Sequence, residues 1–213
     1  MVIPRSLLNC HLCYTMSILS TLPKRLTVPA RLIFKAAAEA KVPAILFGGA
    51  AAKINGMNRD TKDLDINMKS IGITLPSSFY TRVGSAKHRL TATFNRETND
   101  AIRCDIVAHA DIEKFLPYTA LEEDIRYALP PLLLADKIRT YGERARGNDQ
   151  KRSNDLDDIT QMIDMMLEKQ EVMPKELIDW ILTKDVMERF WATVGPADAV
   201  TYKHFLELVK VPV

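Results

Sequence analysis

Between Ile45 and Ile66 the chain reads Ile-Leu-Phe-Gly-Gly-Ala-Ala-Ala-Lys-Ile-Asn-Gly-Met-Asn-Arg-Asp-Thr-Lys-Asp-Leu-Asp-Ile, an order that few folds accommodate. Pro43 to Phe47 is apolar and short, as a buried strand is, and Gly48-Gly49 supplies a turn at which backbone can approach a ligand closely. Ala50 to Asn55 predicts a short helix ended by Gly56, and Lys62 to Met68 predicts a second strand. In that strand Asp63, Asp65 and Asn67 share one face, and Leu64, Ile66 and Met68 share the other. One face is dry and the other is built for charge. Two neighbouring carboxylates repel unless a cation stands between them, and a divalent ion with oxygen ligands is the usual partner. Free N–H groups at the start of the helix behind the glycines favour an anion such as phosphate.

Bulk charge does not name the partner. The 213 residues carry a formal net charge of +2, too small for a protein that coats nucleic acid, while 47% hydrophobic residues suffice for one substantial core or two small ones. No apolar run approaches the roughly 20 residues that cross a bilayer, so nothing here spans a membrane. Three cysteines argue against a disulfide framework and fit a reducing compartment; Cys10-His-Leu-Cys13 has no second pair to complete a zinc site. The first acid is Glu39, so residues 1–28 form a basic, acid-free leader with Arg5, Lys24 and Arg25. A cytoplasmic location is expected, with a mitochondrial one suggested by that leader, although Pro4 and Pro23 interrupt any long amphipathic helix.

Residues 29–128 read as the catalytic core. Pro29 to Lys41 has helical apolar spacing with Pro29 in its first turn, and Pro76 to Val83 is read as another short helix. Arg89 to Asn95 and Ala101 to His109 alternate as strands around the turn chemistry of Arg96 to Asp100, predicting an antiparallel pair. Asp105 is the lone acid on the second of these, opposite an apolar face, at a position where a third carboxylate could join the first two. Residues 129–213 turn helical. Leu134, Ile138 and Tyr141 mark one helix, followed by a basic loop from Gly142 to Gly147. A second helix starts near Asn154, with Ser153 or Asn154 as its cap and Asp155, Asp157 and Asp158 in its first turn, where the helix dipole favours acids. Helices over Pro174 to Leu182, Lys184 to Trp191 and Tyr202 to Val209 complete a bundle, with Trp180, Phe190, Trp191 and Phe205 as apolar anchors.

Gly48-Gly49, thirteen residues (50 to 62), then Asp63-Leu-Asp65-Ile resembles the signature of the polymerase-β-like nucleotidyltransferase superfamily, and Arg59-Asp-Thr61-Lys resembles its Arg-x-Ser/Thr variant. Leu134-Ala-Asp-Lys137-Ile-Arg139 followed by Lys151-Arg-Ser-Asn-Asp155-Leu-Asp-Asp158 is most similar to the C-terminal motifs of the AbiEii/MenT-type toxin nucleotidyltransferases, with Asn154 where an arginine is commoner. The resemblance implies an α+β fold, a small mixed or antiparallel sheet flanked by helices, with a C-terminal helical bundle. It implies Asp63, Asp65 and Asp105 as catalytic and Mg2+ (or Mn2+) ligands. Gly48, Gly49, Arg59, Thr61, Lys137 and Asp155 would bind the nucleotide. The implied reaction is metal-dependent transfer of an NMP from an NTP, such as ATP, to a hydroxyl of an RNA or tRNA end, a protein or a small molecule, releasing pyrophosphate. Binding of nucleotide without transfer is the alternative. Haloacid-dehalogenase-like phosphatases and glycosyltransferases also use Asp-x-Asp, but without the glycine pair upstream.

Overall fold

A computed structural model describes residues 21–83, 88–95, 97, 100–143 and 149–213. The Cys10/Cys13 pair, most of the acid-free leader, part of the 96–100 turn and the 144–147 stretch of the basic loop lie outside them.

The chain opens with α1 (Lys24–Glu39), then β1 (Ala44–Phe47), α2 (Gly48–Ile54), β2 (Asp63–Met68), β3 (Phe79–Val83), β4 (Arg89–Phe94) and β5 (Ile102–Ala108). A 3-10 turn (Ile112–Tyr118) leads to β6 (Thr119–Glu122) and β7 (Ile125–Ala128). Five helices follow: α3 (Pro130–Glu143), α4 (Asp149–Glu168), α5 (Lys175–Trp180), α6 (Lys184–Thr193) and α7 (Pro196–Leu208). This is the expected α+β architecture.

The strands form one seven-stranded sheet in the order β3-β4-β5-β2-β1-β7-β6. β2 and β5 run parallel, as do β1 and β7, while the other neighbours are antiparallel. β1 is buried along its whole length, as its unbroken apolar run requires. β2 alternates instead, with Leu64, Ile66 and Met68 buried and the polar residues facing the other way. On the dry side lie Cys104 and Ile106 of β5 and the helix α1, whose Leu26, Ala30, Ile33 and Ala37 are buried. Buried residues from α1 through α7 form one continuous core.

Four elements differ from their sequence reading, one of them α7, which starts at Pro196 rather than Tyr202. α1 begins at Lys24, so Pro29 lies inside the helix rather than in its first turn; its ring is buried in the core, and burial of Leu26 and Pro29 outweighs the one backbone bond the proline removes. Residues 79–83 are a strand, not a helix: Phe-Tyr-Thr-Arg-Val is aromatic and β-branched, and pairing with β4 decides its conformation. α4 begins at Asp149, so Ser153 and Asn154 are interior positions, and Asn154 accepts a side-chain hydrogen bond from Gln150 at 3.0 Å instead of capping.

The helical part packs through α3. Tyr141 meets Phe190 of α6 with ring centroids 5.5 Å apart, and a Cβ on Gly142 would come 2.9 Å from the Phe190 nitrogen, so α6 lies against bare backbone there. Thr160 of α4 and Tyr202 of α7 share a hydrogen bond of 3.1 Å, which ties the last helix, already under way at Pro196, to α4. Among the described residues no helix is long and apolar enough to cross a membrane.

Candidate active site

The polar face of β2 and the start of α2 meet on the side of the sheet opposite α1. Register places Asp65 opposite Phe47 of β1 and directly beside Asp105 of β5, with Asp63 beside Arg103. Neighbouring strands lie about 4.8 Å apart, so the Asp65 and Asp105 carboxylates are close neighbours on one face. A cleft of about 640 Å³ opens over them, lined among others by Gly48, Asp65, Thr91, Asp105, Asp136 and Lys137.

The two glycines serve different contacts. Gly48 has φ +61°, and a Cβ built on it would stand 2.0 Å from Oδ2 of Asp65. Only a residue without a side chain can bring the start of α2 so near this carboxylate. Gly49 is buried; its Cβ would meet Oγ1 of Thr61 at 2.9 Å and Nε of Arg59 at 3.4 Å. It therefore lets the 59–61 loop close over α2. Thr61 is buried, and its hydroxyl donates to the backbone oxygen of Asp63 at 3.2 Å, fixing the approach to β2.

The carboxylates repel one another. Burial, first, and then the negative charges of Asp63, Asp105 and Asp136 push the Asp65 carboxyl from 3.8 up to about 6, against the pull of Lys137. Asp105 is steadied from two sides. Thr91 of β4, directly opposite in register, donates to Oδ1 at 3.1 Å, and Arg103 forks onto both oxygens at 3.1 and 2.9 Å. Among the described residues, no three His, Cys, Asp or Glu side chains stand as a ready cation cage. The donor set still suits a hard divalent cation: every candidate ligand is a carboxylate, and the Asp65 carboxyl, raised by burial and then by its acidic neighbours, feels a repulsion that a cation would offset.

Lys137, the expected phosphate contact, lines the cleft but is largely buried between two carboxylates, with Nζ 3.0 Å from Asp155 and 2.9 Å from Asp158. Arg59 also pairs with Asp158. Two cations and two anions thus join the 59–61 loop, α3 and α4 below the cleft. Asp155 and Asp158 are buried in the second and third turns of α4, which corrects their placement in a first turn under the helix dipole. Asp155 and Arg59 are engaged in this network rather than among the cleft-lining residues.

Sequence reasoning gave no site role to Thr91, Arg103, Asp136 and Asp158, the last of which it read as a first-turn acid. Two of them were legible: Arg103 is two residues from Asp105 on the same strand face, and Asp158 is one turn from Asp155 on the same helix face. Thr91 needed the β4–β5 register and Asp136 the docking of α3. Trp180 is a further correction, since it is 42% exposed and stands at the edge of a pocket instead of anchoring the bundle. Phe190 is the buried anchor.

No family model and no curated protein matches the sequence. Among solved structures, an antigenic nucleotidyltransferase-like protein from Paracoccidioides brasiliensis superposes with a TM-score of 0.57 at 16% identity, over 89% of this chain and 94% of that one. JHP933 from Helicobacter pylori superposes at 0.46 with 15% identity, over 87% and 93% of the two chains. The Thermotoga maritima CCA-adding enzyme, in its complex with tRNA, reaches 0.35 at 13% identity, over 91% of this chain and 53% of that one. The chain has a nucleotidyltransferase-like fold, on the strength of the first; the other two superpose too loosely to add to it.

Proposed function

We propose that the protein is a metal-dependent nucleotidyltransferase that moves an NMP from an NTP to an acceptor hydroxyl and releases pyrophosphate. The observation that carries this reading is the register of Asp65 with Asp105 beneath Gly48, whose missing side chain leaves backbone against the Asp65 carboxylate. Asp63, Asp65 and Asp105 would hold Mg2+ or Mn2+, which when bound supplies charge neutralisation at the α-phosphate and at the departing pyrophosphate. Gly48, lacking a side chain, would let backbone approach the phosphates beside Asp65. Lys137, locked by Asp155 and Asp158, presents one fixed positive charge to the triphosphate. Arg59 acts through the loop, holding Thr61 and hence Asp63 in place. The acceptor oxygen bonds to the α-phosphorus as the bridge to the β-phosphate breaks, and Asp105, on the β4 side of the cleft, takes the acceptor's proton.

The motifs on α3 and α4 favour kinship with the AbiEii/MenT-type toxins, and the acceptor class is an RNA or tRNA end, a protein or a small molecule. The second reading, nucleotide binding without transfer, is favoured by the Arg103 fork, which occupies both oxygens of Asp105. The two are separated by incubating the protein with each labelled NTP, magnesium and total RNA or protein extract. Transfer that is lost in the Asp63→Ala, Asp65→Ala variant supports the enzyme. Saturable NTP binding with no transfer supports the binding protein.

A further inference from the structure

Beside the catalytic cleft lies a second cavity of about 200 Å³, closed on the far side by the 3-10 turn and α5. The two spaces share Phe47, Asn67, His109, Asp136 and Arg139 as walls, so they are compartments of one groove. A strand rises about 3.3 Å per residue, which puts Asn67 about 7 Å beyond Asp65 on the same sheet face, and His109 follows directly on the end of β5, four residues beyond Asp105. That is the reach of a ribose and base from an α-phosphate held at the carboxylates.

The chemistry of the second compartment is that of a ring site. His109 stands edge-on to Phe115 at 5.1 Å, and Phe115 stands edge-on to Trp180 at 6.3 Å. Lys114 Nζ lies 5.9 Å from the Trp180 ring centre, which anchors the indole while 42% of the residue stays exposed. His109 Nδ1 is buried and makes no hydrogen bond among the described residues, a polar atom left for a ligand group to satisfy. Burial first, against the pull of Asp111, lowers the His109 pKa, so the ring is neutral and offers one donor and one acceptor nitrogen. Resting on the nucleotidyltransferase reading above, the geometry points to this compartment as the seat of the NTP's nucleobase, stacked against Trp180 and read at its edge by His109 and Asn67. The acceptor then enters from the opposite side, past His88 to Thr91 of β4.

The chain has two tryptophans, so Trp191→Phe leaves Trp180 as the sole reporter in the full-length protein. ATP, GTP, CTP, UTP and inorganic triphosphate are each titrated with magnesium, following fluorescence and, in parallel, calorimetry. At least one NTP quenches Trp180 saturably, whereas inorganic triphosphate binds without quenching. In a separate Trp180→Ala variant, NTP affinity drops about tenfold, within the range that base–aromatic stacking supplies, and triphosphate affinity is unchanged. A bound NTP that leaves Trp180 silent, or equal quenching by triphosphate, overturns the base site while nucleotidyl transfer stands. Equal weakening of NTP and triphosphate by Trp180→Ala also overturns it. If neither ligand binds, the nucleotide reading itself falls, and the base site with it.

Discussion

Asp65 is held ionised at a cost, and replacing it with asparagine makes the protein more stable. The carboxyl is raised from 3.8 to about 6, by burial and then by Asp63, Asp105 and Asp136. At 1.36 kcal/mol per pKa unit, keeping Asp65 charged above that range disfavours the folded state by about 3 kcal/mol. The sign follows from proton binding: between the two values the native state holds more protons than the unfolded chain, so stability falls as pH rises. Asparagine has the same size and leaves Gly48 undisturbed. Asp65→Asn therefore raises Tm by about 6–12 °C at about pH 8, and the gain shrinks to about half near pH 5, where the native wild-type carboxyl is already protonated. Differential scanning calorimetry across pH measures both. Millimolar Mg2+ raises the wild-type Tm and narrows the gap. A variant no more stable at about pH 8, or a gain independent of pH, refutes the electrostatic account of this site.

Other perturbations probe neighbouring contacts. Gly48→Ala puts a methyl where Oδ2 of Asp65 stands and a side chain at φ +61°, costing about 1–3 kcal/mol in chemical denaturation and abolishing nucleotide-dependent thermal stabilisation. Lys137→Ala takes from Asp155 and Asp158 the buried ammonium that lies 3.0 and 2.9 Å from them, lowering stability by about 3–5 kcal/mol in urea titrations. The Lys137→Met, Asp155→Leu double variant keeps the Arg59–Asp158 pair and recovers most of that loss without recovering nucleotide affinity. Burial, and then Asp105, Asp63 and Asp65, push the Cys104 thiol up to about 12, so in a Cys10→Ser, Cys13→Ser background a disulfide reagent at about pH 8 reacts only as fast as the chain unfolds.

The stretch from Ile45 to Ile66 was readable because each of its elements is specified locally: an apolar run, a glycine pair, and a strand whose alternation separates charge from core. The same alternation put Asp105 on the polar face of β5, and the register confirms that face and adds the neighbour, Asp65. Tertiary contacts decided the rest. Pro29 signals a helix start to local chemistry, yet its ring belongs to the core, so α1 continues upstream. β3 is an edge strand with one partner, and nothing within residues 76–83 reveals that partner. Asp155 and Asp158 looked like first-turn acids because Asn154 mimics a cap; the earlier start of α4 and the arrival of Lys137 bury them. Trp180 is indistinguishable by type from Trp191, and only the gap between α5 and the 3-10 turn makes it a pocket wall.

Nucleotidyl transfer is tested most directly by where a label goes. With Mg2+, a suitable NTP and total RNA or protein as acceptor, label in the α-phosphate is expected to become covalently attached to acceptor, and label in the γ-phosphate to appear in pyrophosphate. Asp63→Ala, Asp65→Ala protein yields neither. Acceptor carrying the γ-label, γ-label released as free phosphate, or α-label transfer that persists in the double variant would contradict the assignment of Asp63 and Asp65 to this reaction.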